Sequence, residues 1–296
     1  MAFFFAERAM RIAVIGADGQ LGSDLVRTLA RDEVFPLYYP EFDVTRPMRM
    51  RSVLQNLRPD TVVNTAAFHR VDECEDDPEA SFRVNTIAVR DLARLAGELG
   101  FILVHFSTDY VFDGRKKAAY IESDPPNPLN VYAVSKLAGE FFVRALIEKH
   151  FLIRTCGLFG EASSREKGYN FVDRMIALAE EGKPLRVVDD QWVSPTSTAE
   201  LAERTSDLIR TDHYGLYHLT SEGHCTWFQF AQELFALIGR RPRLEPVDSQ
   251  TFAAKALRPL YSVLENKRAK EVGLKDFSSW NHALRAYLEK KGLIPR

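Results

Sequence analysis

The amino-acid sequence predicts an α/β fold, a doubly wound parallel sheet with a smaller C-terminal part folded against its open edge. Three observations carry this. Short apolar runs alternate with longer amphipathic stretches up to about Gly160, the pattern of βαβ units around a sheet covered on both faces. A glycine-rich turn, "VIGADGQLGSDL", joins the first apolar run to the first amphipathic one. Beyond Gly160 the strand-like runs shorten while helix-like stretches continue.

The elements follow in order. "RIAVIG" (11–16) reads as a buried strand and residues 20–31 as the helix after it. "EVFPLYY" (33–39) is a second strand, and a helix carrying Leu54 and Leu57 leads into "TVVNTA" (61–66). Residues 78–99 read as one long helix, "FILVHFS" (101–107) as a buried strand, 131–149 as a helix and "FLIRTC" (151–156) as another strand. In the second half, "LRVVD" (185–189) and "GLYHLT" (215–220) are shorter strands among helices at 169–181, 198–210 and 226–238. The expected division gives residues 1–160, with returning segments of the C-terminal half, to a dinucleotide-binding domain. Residues 161–296 form mainly a substrate-binding domain, and the chain crosses between the two more than once.

Composition narrows the function. The chain has 296 residues, 46% of them hydrophobic, and 39 basic against 41 acidic residues leave a net charge of −2. That balance speaks against nucleic acid or an acidic membrane surface as the main partner. No run reaches the roughly 18 apolar residues of a membrane helix. "MAFFFAERAM" lacks a basic segment and a small-residue cleavage pattern, so no signal peptide is expected. The core pattern starts at Arg11, with Met10 read as the natural start. Cys74, Cys156 and Cys225 are widely scattered, which suits a reducing compartment, and the expected location is cytoplasmic. The 7 histidines show no metal-ligand spacing, so no metal is expected. "DECEDDPE" (72–79) reads as a solvated, acidic helix start that favours the helix dipole, and Cys156 as a small packing residue.

Gly16, Gly19 and Gly22 form a G-x-x-G-x-x-G turn between a strand and a helix. Gly16 permits the sharp turn, Gly19 lets backbone approach a pyrophosphate, and Gly22 lets the helix pack close to the sheet. The helix start then offers free N–H groups to phosphate. An acid at the end of the second strand would grip a ribose 2′-OH. That place reads "YYPEFD", with no acid before Glu41 and Asp43 and no arginine for a 2′-phosphate. NADPH and NADH therefore both stand as expected cofactors.

"VHFSTDYVFDG" sets Ser107, Thr108, Asp109 and Tyr110 at the end of a buried strand, where ligands bind in open α/β sheets. Thr108 is placed to hydrogen-bond a substrate carbonyl. In "NVYAVSK", Tyr132 and Lys136 lie four apart and share one helical face. A free tyrosine titrates at about 10, too high for an efficient donor at neutral pH. A neighbouring ammonium stabilises the phenolate, a role Lys136 can fill while it holds the nicotinamide ribose.

These pieces resemble the extended short-chain dehydrogenase/reductase group, and within it the dTDP-4-dehydrorhamnose reductase family. The matching stretches, in order, are "GADGQLG", "FDVT", "RPDTVVNTAAF", "VDECEDDPE", "VN" (84–85), "STDYVFDG", "YAVSKLAGE", "LIRT", "NF" (170–171), "DDQWVSPT" and "RP" (258–259). The resemblance implies a Rossmann-type fold and residue roles. Gly19, Gln20 and Leu21 would hold the pyrophosphate, Asp43 and Val44 would lie by the adenine, and Thr65, Ala66 and Ala67 along the cofactor. Thr108, Tyr132 and Lys136 would form the catalytic group, with Tyr132 and Lys136 also touching the cofactor. Thr108, Asp109, Tyr110, Gly157 and Asn170 would face the substrate. The implied reaction reduces the C4 ketone of a deoxysugar nucleotide, dTDP-4-dehydrorhamnose to dTDP-L-rhamnose, and a homodimer is compatible with it.

Two departures bear on this expectation. The family places a sugar-pocket tryptophan after the strand that follows the lysine helix, where "RTCGLFG" gives Gly157. The 4,6-dehydratases of the same fold follow the threonine with Asp-Glu, where this chain has Tyr110 after Asp109. The alternatives are a non-catalytic NADP-binding regulatory subunit resembling methionine adenosyltransferase β, or a sugar-nucleotide epimerase or dehydratase.

Overall fold

The computed structural model describes residues 9–162 and 168–295. The extension read before Met10 lies, but for Ala9, outside the described residues. The chain runs β1 (Arg11–Ile15), α1 (Gln20–Thr28), β2 (Glu33–Leu37), α2 (Pro47–Leu57), β3 (Thr61–Asn64), α3 (Val71–Asp76) and α4 (Pro78–Phe82). A π turn (Arg83–Ile87), α5 (Ala88–Leu99), β4 (Ile102–Thr108), a 3-10 turn (Asp109–Val111), α6 (Val131–Leu146) and β5 (His150–Thr155) follow. The second half holds β6 (Leu158–Phe159), α7 (Phe171–Glu180), β7 (Leu185–Val188), β8 (Trp192–Val193), β9 (Thr196–Ser197) and α8 (Thr198–Leu208). It ends with β10 (Gly215–His218), β11 (Cys225–Thr226), α9 (Trp227–Leu237), β12 (Leu244–Val247), α10 (Ser249–Phe252), α11 (Lys267–Glu271) and α12 (Trp280–Lys290).

Six strands pair in parallel in the order β10-β5-β4-β3-β1-β2. Period-two alternation sends each strand to both faces. Ile12 and Val14 join Leu21 and Leu25 of α1 and Leu201 and Leu208 of α8. Ala13 and Ile15 join Met50 and Leu54 of α2 and Val89 and Leu92 of α5. The doubly wound expectation therefore holds. The run at 215–220 supplies β10, which returns from the second half to extend the sheet beside β5. Pro36 sits in β2, an edge strand, where a missing ladder N–H is tolerated. The second half has its own core, with Phe159, Val172, Leu185, Phe230, Leu234 and Leu284. Among the described residues no helix is long and apolar enough to cross a membrane.

Two sequence expectations change. Residues 78–99 are not one uniform helix, because the π turn divides them. Asn85, in that turn, is drawn inward. Its Oδ1 accepts from Phe68 N (2.9 Å) and its Nδ2 donates to Phe68 O (2.9 Å). A Cβ on Gly139 of α6 would overlap the Asn85 carbonyl oxygen, so the two helices meet backbone to backbone. The acidic stretch 72–79 is not only a solvated helix start either. Asp77 caps α4 through Ala80 N. Asp72 takes Ala256 N (2.9 Å) and a two-pronged bond from Arg258 (3.2 and 2.9 Å), and Asp76 pairs with Lys255. These carboxylates fasten the segment at 255–258 to α3, a use that local spacing does not encode.

The helix that carries the candidate tyrosine and lysine is fixed at both ends of its buried face. Asn130 caps α6 through Ala133 N (2.8 Å). Further along, Arg154 of β5 donates to Glu140 through Nε (2.9 Å) and Nη2 (2.7 Å), and Ser107 Oγ of β4 donates to Glu140 Oε1 (2.5 Å). Arg154 and Glu140 are 2% and 1% exposed. Glu140→Ala should therefore lower the unfolding free energy by about 3–5 kcal/mol, because it strands a buried guanidinium. Urea denaturation checks this, and a loss below about 1 kcal/mol, the worth of a surface pair, would show that the pair does not hold α6.

Candidate active site

The candidate residues collect at the carboxyl ends of the sheet strands, where open α/β sheets bind ligands. An open cavity of about 590 Å³ lies at the opposite, amino ends, lined by Leu54, Arg58, Lys149 and Tyr214 among others. None of the candidate residues lines it, and the chemistry argues for the carboxyl end.

The turn after β1 fits a dinucleotide. Gly16 has φ +74°, and a Cβ there would press on Thr65 Oγ1 at 2.7 Å. A Cβ on Gly22 would overlap the Gly16 carbonyl oxygen, so only glycine lets α1 approach this closely. Gly19 is the N-cap of α1 and has no side chain to occupy the first-turn N–H groups of Gln20 and Leu21. Gln20 Oε1 is buried without a protein partner among the described residues. An open cradle of N–H groups beside an orphaned acceptor is what a bound pyrophosphate and its ribose require.

The neighbouring loop is braced. Thr65 Oγ1 donates to Ile15 O (2.8 Å), and Ala66 N donates to Asn64 Oδ1 (3.1 Å). The carbonyl of Ala67 lies 3.3 Å from His69 Nδ1. Asp43 holds its own turn, accepting from Thr45 N (2.9 Å) and Thr45 Oγ1 (2.7 Å), and Val44 packs against the sheet core.

Thr108 ends β4 and is buried. Its hydroxyl donates to Asp109 Oδ1 (3.1 Å) and accepts from Tyr110 N (3.2 Å), so its one proton is engaged by Asp109. Tyr132 lies half-buried in the first turn of α6, its ring edge-on to Tyr110 with centroids 6.3 Å apart. Lys136, one turn on, is 2% exposed, and its Nζ donates to Phe106 O (2.6 Å) and lies 3.4 Å from His105 Nε2. Burial lowers the Lys136 ammonium from 10.5 to about 8, with Glu140 acting the other way.

The substrate-side candidates divide. Burial raises the Asp109 carboxyl from 3.8 to about 6, against hydrogen bonds from Cys156 and Thr108. Cys156 Sγ lies 3.1 Å from Asp109 Oδ2, and burial pushes its thiol well up, so Cys156 holds the site's carboxylate as well as packing. Tyr110 meets Arg258, the residue pinned by Asp72, and burial raises its phenol. Asn170 is set apart from this group. It caps α7 through Asp173 N (2.9 Å) and donates to Gly160 O and Tyr287 OH (both 3.0 Å), which commits its amide to the fold.

Gly157 has φ +54°, in the left-handed region. A Cβ there would lie 3.2 Å from Pro195 Cα and 3.3 Å from Trp227 Cη2. An indole therefore does cover this position, supplied by the start of α9 and set against Phe171, with ring centroids 4.7 Å apart. Sequence reading missed Trp227, His105, Asn64 and the Glu140–Arg154 pair. "RP" at 258–259 was the only local sign of Arg258.

Two outcomes follow. Gly157→Ala should lower stability by about 1–2 kcal/mol, the penalty of a left-handed non-glycine residue, read from urea midpoints; an unchanged midpoint would mean the turn adapts. Asp109 has a folded pKa above its unfolded value, so its part of the stability is complete below pH 3.8 and lost as pH rises through about 6. Asp109→Asn should flatten that loss, and an identical fall in both proteins between pH 4 and 7 would contradict the burial argument.

Comparison with known proteins agrees in sequence and in structure. A family profile described as "RmlD substrate binding domain" matches residues 10–292. The dTDP-4-keto-6-deoxy-D-glucose reductase of Streptomyces niveus is 38% identical over 93% of this chain and 95% of its own. The dTDP-4-dehydrorhamnose reductase of Burkholderia thailandensis is 36% identical over 93% of this chain and 97% of its own. The crystal structure of dTDP-4-dehydrorhamnose reductase from Bacillus anthracis, in complex with NADP, superposes with a TM-score of 0.91 at 35% identity, covering 95% of this chain and 99% of that one. With the family profile spanning nearly the whole chain and reductases this similar along their full lengths, the chain belongs to the RmlD substrate-binding-domain family, that of the dTDP-4-dehydrorhamnose reductases.

Proposed function

We propose that the protein reduces the C4 ketone of a deoxysugar nucleotide with NADPH or NADH, dTDP-4-dehydrorhamnose to dTDP-L-rhamnose being the expected reaction. The observation that best supports this is that α6, which carries Tyr132 and Lys136 one turn apart, lies against β4, which ends in Thr108, with Lys136 Nζ donating to Phe106 O, in a chain whose first turn fits a dinucleotide. Gly16, Gly19, Gln20, Leu21 and Gly22 would hold the cofactor's phosphates, with Asp43 and Val44 toward the adenine and Thr65, Ala66 and Ala67 along its length. When bound, the nicotinamide supplies the reducing equivalent. Thr108 turns its hydroxyl from Asp109 to the substrate carbonyl and polarises it. Tyr132 gives its proton to the oxygen as negative charge builds there. Lys136 holds positive charge behind the phenol.

The C-terminal part, residues 161–296 in the main, would supply the sugar side of the cleft, with Trp227 above Gly157. A homodimer and a cytoplasmic location belong to the same proposal. They are supported by the exposed Val134 and Phe141 of α6 (40% and 54%) and by three buried, unbridged cysteines.

The test follows NADPH and NADH oxidation against a panel of 4-keto sugar nucleotides. Oxidation with a dTDP-4-keto-6-deoxysugar is expected; tight cofactor binding without oxidation of any of them would overturn the reading. Tyr132→Phe should lower kcat by about 10²–10⁴-fold, the range of a lost acid catalyst, with the Kd for NADPH nearly unchanged. A kcat within a few-fold of the parent protein would remove Tyr132 from that role.

A further inference from the structure

Lys136 does not stand alone behind the site. A buried chain of polar groups reaches it from the cofactor loop. Ala66 N donates to Asn64 Oδ1 (3.1 Å), Asn64 Nδ2 meets His105 Nδ1 at 3.2 Å, and His105 Nε2 meets Lys136 Nζ at 3.4 Å. Asn64, His105 and Lys136 are 3%, 0% and 2% exposed.

The chain has a direction. Ala66 N–H must be received by an oxygen, which fixes the Asn64 amide with Oδ1 toward Ala66 and Nδ2 toward His105. His105 Nδ1 is then the acceptor, and in a neutral imidazole the single ring hydrogen sits on Nε2. Burial, and next the charge of Lys136, hold the His105 pKa well below its ordinary value, so the ring is neutral. An N–H thus points at Lys136 Nζ. An ammonium has only donors and cannot receive it, while a neutral amine can.

We propose that His105, locked by Asn64 with its hydrogen on Nε2, is a positioning residue that disfavours the ammonium form of Lys136 and keeps this lysine able to exchange a proton. The other groups facing Lys136 do not cancel this. Phe106 O of β4 receives Nζ in either form. Glu140, on α6 itself, favours the ammonium, but its carboxylate is already taken by Arg154 of β5 and Ser107 of β4. Tyr132 shares the helix face. From the α4 and π-turn side, Ser81, Asn85 and Thr86 bind Ser135 and bring no charge.

This inference rests on the proposed reductase for its kinetic arm alone. Nitrogen-15 spectra of histidine-labelled protein should show His105 with bare Nδ1 and protonated Nε2 from pH 6 to 9. The opposite tautomer would overturn the proposal without any variant. Lysine titration by carbon-13 NMR, assigned with Lys136→Met, supplies the second readout. Asn64→Asp offers His105 Nδ1 an acceptor, moves the ring hydrogen there, and leaves Nε2 free to receive the ammonium. It should raise the Lys136 midpoint by about one pH unit, a tenfold change in proton affinity. In a His105→Phe background the same change should move it far less; an equal shift there would reduce the effect to the added charge and sink the proposal. The limb of the kcat–pH profile set by Lys136 should move with the titration. If no sugar nucleotide is turned over, the reductase reading fails while the tautomer and titration still decide this one.

Discussion

The buried bond between Arg154 and Glu140 is the constraint on which the candidate site depends. Tyr132, Lys136 and Glu140 occupy three positions four residues apart on α6, so they form one stripe along the helix. Whatever fixes the rotation of Glu140 fixes the other two. Arg154 does so from β5 and Ser107 from β4, the strand that ends in Thr108. A buried pair of this kind adds little net stability over apolar packing, but leaving either partner alone is severe. The pair is therefore better understood as a device for register, allowing few rotations of α6 against the sheet.

The adjoining buried face of α6 is fixed by shape and neutral hydrogen bonds. Ser135 receives Asn85 Nδ2 at 3.0 Å, and its carbonyl receives Thr86 Oγ1 at 2.7 Å. The absent side chain at Gly139 lets the π turn come to backbone distance. Asn85 also holds Phe68 on the loop that follows β3. The loop after β3, the lysine helix and the π turn thus share one set of buried donors and acceptors, and a change in one is felt by the others.

Much of this was legible in the sequence, for identifiable reasons. Strands and helices announce themselves through periodicity, so β1, β3, β4 and β5 appear in the runs that contain Ile12, Val62, Val104 and Ile153. Gly16 and Gly22 are readable because backbone geometry leaves few substitutes. Tyr132 and Lys136 are readable through one helical turn. The rest depends on which distant segments meet. His105 sits in an apolar run, where a histidine looks like packing until Asn64 and Lys136 are brought to its two nitrogens. Arg258 finds Asp72 across most of the chain. The π turn sets the Asn85 carbonyl against Gly139, a meeting that no local pattern around Asn85 contains.

Gly157 separates two duties that a single tryptophan would combine. The indole that covers it is rooted in α9, among Phe171 and Phe230 of the second core, while Gly157 follows directly on the strand that holds Arg154. The aromatic cover is thus packed in the second core, whereas the candidate site is built on the sheet and α6. Changes at α9 can widen or narrow the space over Gly157 without disturbing the strand beneath.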